Sequence, residues 1–122
     1  MLTVHMSIDN RQLPRFQDFA RARINELCQL PGYLEDVSVN GCKIRFSHVF
    51  DVDTDREYTL TVLPALRSGI GEFEVVVRPQ WICRNPDSID IGFYVLHCPG
   101  IRQFMKYVNI LAQLDQQVLQ EA

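Results

Sequence analysis

Hydrophobic and polar residues alternate through most of the chain after residue 18, which is the pattern of half-buried β-strands. The first alternating stretch begins at Phe19, with Ala20, Ala22 and Ile24 on one side and arginines on the other. Five further strand-like runs follow, over residues 33–38, 42–48, 57–63, 73–83 and 88–96. Short strands at intervals of about ten residues predict an antiparallel barrel or sandwich.

Turn signals separate these runs. Asn40-Gly41 lies between the second and third runs and predicts a tight hairpin, because both residues tolerate positive φ. Pro31-Gly32, residues 68–71 and residues 85–87 mark further turns.

After Pro99-Gly100 the apolar positions follow a helical period instead. They form one broad face, made of Phe104, Tyr107, Val108, Leu111, Leu114 and Val118. We predict a C-terminal helix over residues 99–119 whose apolar face packs on the barrel and whose last turns extend past it. Residues 1–18 have little periodicity, and we interpret them as an arm in front of a barrel domain over residues 19–122.

Composition and charge narrow the class of protein. The 122 residues are 47% hydrophobic and 22% charged, which is typical of one globular domain. The net charge of −3 argues against a general binder of nucleic-acid polymers. Four arginines nevertheless occur in a short stretch with a single acidic residue, Asp18; they are Arg11, Arg15, Arg21 and Arg23. An anionic ligand would be attracted to that stretch.

The chain carries no membrane or export signal that we can identify. No run reaches the roughly 18 apolar residues of a transmembrane helix, and residues 1–10 lack the basic and apolar regions of a signal peptide. We therefore expect a cytoplasmic protein without membrane insertion.

Catalytic and metal sites find little support in the sequence. The four cysteines are scattered without a CxxC pair, and we expect them to be buried, reduced and free of metal. The tip formed by Asp51, Asp53 and Asp55 starts like a calcium loop, but Arg56 and Val62 replace the required glycine and glutamate. No nucleophile, base and acid are suitably spaced, and no Walker loop or GxGxxG occurs, so we expect no enzyme activity.

Two short motifs occur in order along the chain. An RxxxR motif with Arg11 and Arg15 lies in the arm. A DxSxxG motif with Asp36, Ser38 and Gly41 lies at the predicted hairpin. Each motif alone is common, but the ordered pair on an arm and then a hairpin is much rarer.

This pair of motifs resembles the PilZ domain family, whose members are bacterial receptors for cyclic di-GMP. The resemblance extends over nearly the whole chain, because the family has an RxxxR arm, an antiparallel barrel with the D/NxSxxG hairpin, and a C-terminal helix. Ile91-Gly92-Phe93 is similar to the family's glycine-aromatic strand before that helix, and Trp81 stands where many members have tryptophan. The resemblance implies a mainly β fold, a six-stranded PilZ-type barrel, and a ligand site made of Arg11, Arg15, Asp36, Ser38 and Gly41.

The chemistry of these residues suits cyclic di-GMP, which carries two phosphate charges and two guanines. The guanidinium groups of Arg11 and Arg15 can bind a phosphate or the O6 and N7 atoms of guanine, or stack on a base. The carboxylate of Asp36 can accept hydrogen bonds from guanine N1–H and N2–H₂, and Ser38 adds a hydroxyl group. Gly41 would permit the hairpin turn and leave room for a purine.

Several prominent residues also have structural interpretations. Asp36 and Ser38, taken alone, would be turn-capping groups. We interpret Arg21 and Arg23 as the solvent face of the first strand, and Trp81 as a core or helix-packing residue.

The resemblance implies a receptor that is not an enzyme and holds no cofactor. In the implied mechanism the arm is mobile without ligand, and binding folds Arg11 and Arg15 over the nucleotide while Asp36 and Ser38 hold a guanine against the barrel. The ordered arm then presents a new surface to a downstream protein partner, in a process such as motility or virulence.

Two other functions stay open. A PilZ-type barrel can act only as a protein-interaction adaptor, although the intact motifs argue against that. A small oligonucleotide-binding barrel is the other alternative, but its aromatic platform and basic groove are not evident in the sequence.

Overall fold

A computed structural model describes residues 14–121, with side chains described as far as residue 116. These residues form six strands and one helix: β1 (Ala20–Arg23), β2 (Gly32–Ser38), β3 (Gly41–Phe46), β4 (Tyr58–Leu63), β5 (Phe73–Arg84), β6 (Ile89–Val95) and α1 (Ile101–Glu121). A short 3₁₀ turn, Leu66–Ser68, lies between β4 and β5. The strands close into an antiparallel barrel in the order β1-β2-β3-β6-β5-β4, which confirms the predicted fold class.

The observed elements begin and end within two residues of the predicted limits, except that β1 ends at Arg23 while the predicted alternation continues to Glu26. The helix starts at Ile101, two residues later than predicted, because Pro99 and Gly100 form a turn. The carbonyl oxygen of Gly100 accepts the first helical hydrogen bond from the N–H of Phe104, at 3.1 Å.

The core is built from alternate strand residues and from one face of α1. Phe104, Tyr107, Val108 and Leu111 are all buried, as the helical period predicts. The rings of Tyr107 and Phe73 meet edge to face, with centroids 5.7 Å apart. Each large side chain buried in this way stabilises the fold by roughly 1.5–3 kcal/mol. No helix within the described residues is long and apolar enough to cross a membrane.

A bulge in β2 determines which side chains face outward near the first hairpin. The register of β2 against β3 shifts between Leu34 and Asp36, so that Glu35 is an extra residue with no match on β3. Leu34 and Val37 both lie in the core, although strict alternation would put them on opposite faces. Because side chains alternate along a strand, Asp36 and Ser38 then follow on the outer face.

A second bulge, in β5, corrects the interpretation of Trp81. The register against β6 shifts between Pro79 and Trp81, which leaves Gln80 unmatched and turns Trp81 outward opposite Gly92. The Trp81 side chain is 39% exposed, so the prediction of a core or helix-packing residue was wrong. A Cβ atom at Gly92 would overlap the indole ring, which explains the glycine at this position.

The first hairpin has the predicted location but a different turn. Val39–Asn40 is a two-residue loop between the paired residues Ser38 and Gly41. Among the described residues, Gly69 is the only one with positive φ, so the expected positive φ at the Asn-Gly pair was wrong. Gly41 is required for another reason: a Cβ atom there would overlap the backbone carbonyl oxygen of Phe93 in β6.

We expect Gly100→Ala to lower the free energy of unfolding by about 1–3 kcal/mol. The added Cβ would overlap the backbone carbonyl oxygen of Glu74, where β5 and the start of α1 approach each other. Gly71→Ala is the matched control, because nothing lies within 4 Å of a Cβ at that position, and this variant should lose no stability. Urea denaturation followed by circular dichroism measures both, and equal losses would contradict the close packing.

Candidate functional site

The arginine of the first motif and the aspartate of the second meet on the outside of the barrel. Nη1 of Arg15 lies 2.8 Å from Oδ1 of Asp36. A backbone bridge brings them together: Phe16 and Val37 exchange two N–H···O bonds of 2.8 Å each, in antiparallel orientation. This pairing sets Arg15 opposite Ser38 and diagonal to Asp36, within the reach of a long side chain.

Three of the predicted site residues line one small hollow. Arg15, Ser38 and Gly41 surround it together with Lys43 and Trp81. Its volume is about 20 Å³, enough for a single water molecule. The hollow is therefore too small for a nucleotide base unless side chains around it move.

A row of outward-facing positions crosses four strands at this level. Asp36 in β2 pairs with Lys43 in β3, Lys43 pairs with Gly92 in β6, and Gly92 pairs with Trp81 in β5. The row joins a carboxylate, an ammonium group and an exposed aromatic ring. Because Gly92 has no side chain, the indole of Trp81 packs directly against it, in the space that a Cβ atom would fill.

A broader hollow adjoins the same row. It has a volume of about 670 Å³ and lies between the arm and β2. Asp36 and Lys43 of the row are among the residues that line it. The aromatic rings of Phe19 and Tyr33 also line it. Its volume lies within the range of sites for drug-sized ligands, roughly 300–1,000 Å³.

The charges around the row are largely balanced. Nζ of Lys43 lies 3.0 Å from Glu35, and the Arg45 guanidinium donates two hydrogen bonds, of 2.7 and 3.0 Å, to the carboxylate of Asp90. The bond from Arg45 holds the pKa of Asp90 below its ordinary value. Arg15 is paired as well. To bind here, an anionic ligand would have to displace one of these carboxylates from its cation, or be held by a cation from another part of the chain.

The other predicted positions have varied outcomes. Arg11 lies outside the described residues. The Ser38 hydroxyl is buried and donates a hydrogen bond to Oδ1 of Asn40, at 3.1 Å, which is the turn-capping contact expected of it. Arg21 is exposed and Arg23 is half-buried, in agreement with the outer face of β1.

A buried carboxylate at the base of the arm was not singled out as functional by sequence reasoning. The Asp18 side chain is fully buried and accepts hydrogen bonds from the Tyr107 hydroxyl (2.6 Å), Nε of Arg67 (3.1 Å) and the N–H of Ala65 (3.2 Å). Burial alone would raise the pKa of Asp18, but these donors together hold it below the ordinary value of 3.8. Burial and the nearby carboxylate raise the pKa of Tyr107. A tyrosine on an apolar helix face signals that such a partner exists, but does not identify it.

The cysteines give no sign of reactive chemistry. Cys42 is buried, and burial raises the pKa of its thiol to about 12, so that it stays protonated. Cys83 is exposed, and the prediction of a buried residue was wrong there, because alternation after the bulge turns positions 81 and 83 outward. Within residues 14–121, no three His, Cys, Asp or Glu side chains are grouped as metal ligands would be.

The buried Asp18 predicts how stability depends on pH. Its pKa is lower in the folded state than in the unfolded chain, so its contribution is complete at neutral pH and is lost as the pH falls below about 4. Asp18→Asn removes this dependence and should flatten the fall in unfolding free energy between about pH 5 and pH 2. Urea denaturation across that range measures the slope, and an unchanged slope would contradict the assignment.

Comparisons with known proteins add no identification. The chain matches no model of a known protein family. No curated protein sequence matches it either.

Proposed function

We propose that the chain is a cytoplasmic receptor for cyclic di-GMP, not an enzyme, and that it binds the dinucleotide on the outside of the barrel between the arm and β2. One observation carries the proposal. Arg15 and Asp36 come from the two motifs, 21 positions apart, and their side chains touch.

The guanine of the ligand would take the place of Arg15 at the carboxylate of Asp36. The ion pair is partly exposed, 37% at Arg15 and 22% at Asp36, and such pairs contribute about 0–1 kcal/mol. Breaking it therefore costs little. Once the Arg15 side chain moves outward, Asp36 and Ser38 can hold the edge of the base, and the indole of Trp81 offers a face for stacking.

The phosphates need positive charge that the nearest cations of β3 do not spare. Lys43 and Arg45 are already paired with carboxylates. Arg15, released from Asp36, supplies one guanidinium group, and Arg11 in the same motif supplies the second. The hollow of about 670 Å³ beside Asp36 gives the rest of a dinucleotide room without opening the core.

A downstream protein would then recognise the arm in its ligand-bound position. Two large apolar side chains beside the arm are almost fully exposed: Phe19 at 93% and Leu66 at 99%. Exposed apolar groups of this kind are typical of interaction surfaces when they occur together. A change in the position of the arm next to them would therefore alter the surface that the partner contacts.

The same two side chains favour a second candidate function, a protein-interaction adaptor that binds no nucleotide. Affinity capture of partners with and without cyclic di-GMP distinguishes the two functions. A partner whose recovery does not change with nucleotide would favour the adaptor, and one whose recovery changes would favour the receptor.

We expect Arg15→Ala to weaken cyclic di-GMP binding by more than about 30-fold, equivalent to about 2 kcal/mol. Its unfolding free energy should change by less than about 1 kcal/mol, because the ion pair is partly exposed. Arg102→Ala removes the same charge from an exposed position on α1 and should bind normally. Titration calorimetry measures all three proteins. Absence of binding heat when the unmodified chain is titrated with cyclic di-GMP at tens of micromolar would contradict the proposal.

We expect cyclic di-GMP to quench the fluorescence of Trp81, which is the only tryptophan of the chain and lines the hollow with Arg15. The quenching should saturate at the concentration found by calorimetry, and GMP at that concentration should have little effect. Normal binding heat without any change in fluorescence would show that the ligand lies away from the Trp81 row.

A further inference from the structure

Two anchors hold the short segment that carries Arg15. At one end, Arg15 contacts Asp36 and Phe16 pairs with Val37, both on β2. Three residues later, the Asp18 carboxylate is buried among donors from other parts of the chain. The intervening segment, residues 15–18, is thus a strap tied to the barrel wall at one end and to the interior at the other.

The second anchor is stronger than the ion pair of the first. Asp18 accepts hydrogen bonds from α1 through Tyr107 and from the 3₁₀ turn through Arg67, and Arg67 also donates to the carbonyl oxygen of Gln17 at 2.7 Å. A buried carboxylate that loses such donors pays a large desolvation cost, so this end stays fixed. The ion pair of Arg15 is partly exposed and exchanges easily.

We infer that Asp18 is a positioning residue for the nucleotide site, because it fixes the point from which Arg15 reaches the ligand. The inference rests on the proposed function for its ligand. It adds that the affinity depends on a carboxylate that is fully buried and does not contact the nucleotide, and that the base of the arm is held by the same carboxylate that holds α1.

The length of the strap determines how much the loss of the Asp18 anchor should weaken ligand binding. Asp18 lies three positions after Arg15, so the two Cα atoms can be at most about 10 Å apart. With the Phe16–Val37 pair open, removal of the Asp18 anchor makes Ala20 in β1 the next fixed residue, five positions from Arg15, and the limit rises to about 17 Å. The volume open to Arg15 then grows about fivefold, and its effective concentration at the ligand falls by the same factor.

The first measurement needs no ligand. Hydrogen exchange of the Phe16 and Val37 amides reports whether the strap is docked, because each donates its N–H to the other's carbonyl oxygen. Tyr107→Phe keeps the ring in the core but removes the hydroxyl donor, and should speed the exchange of both amides relative to the Leu60 amide in the core. Tyr58→Phe is the matched control: Tyr58 is buried too, but its hydroxyl bonds the backbone of Asp53.

The second measurement is a double-mutant cycle with cyclic di-GMP. Asp18→Asn should weaken binding about fivefold in the unmodified chain and less than about twofold in the Arg15→Ala background, since Asp18 acts only through Arg15. Tyr107→Phe should show the same pattern with a smaller effect, and it serves if Asp18→Asn does not fold.

The outcomes separate the two proposals. Equal weakening in both backgrounds, or unchanged exchange at Phe16 and Val37 in Tyr107→Phe, would overturn the positioning role of Asp18. If the unmodified chain does not bind cyclic di-GMP, the proposed function fails and the positioning role fails with it, whereas faster exchange at Phe16 and Val37 would still establish the anchor.

Discussion

A strand of only four residues closes the barrel, and its shortness determines where the arm lies. β1 pairs with β4 on one side and with β2 on the other, where it covers Gly32 to Leu34. The rest of that edge of β2 is left to the residues that precede β1, which pair with it through Phe16 and Val37. The meeting of Arg15 with Asp36 is therefore a consequence of backbone hydrogen bonding, and side-chain attraction adds only to its final step.

The strand and helix limits could be predicted because they depend on local patterns. Period-two alternation identified every strand of the barrel, and period-3.6 spacing identified α1. The two bulges could not be predicted in this way, since a bulge is a property of the register between two strands. Trp81 and Cys83 were assigned to the wrong face for that reason. The structural role of Gly41 could not be predicted either, because it depends on how close β6 comes to β3.

The motifs singled out two residues that lie in contact, Arg15 and Asp36, but not the residues that hold the arm in place. Asp18 has its partners 47, 49 and 89 positions along the chain, and no local pattern links them. The charge of the arm shows the same limitation. An excess of arginine counted along residues 11–23 suggests an unpaired positive patch, whereas Arg15 forms an ion pair with a carboxylate of β2. Electrostatic arguments from sequence are therefore safest for the sign of a ligand's charge and weakest for how much charge is free.

β5 pairs with different strands along its length, and this determines where its edges are open. β4 accompanies β5 only as far as Val77, and β6 pairs with the other edge from there to Arg84. On the β4 side, the described strands thus leave β5 without a paired strand after Val77, and exposed edges invite strands from other molecules. Here that stretch contains Pro79, which lacks an N–H, the irregularity at Gln80, and a terminal arginine. These features disfavour the addition of a foreign strand at this edge.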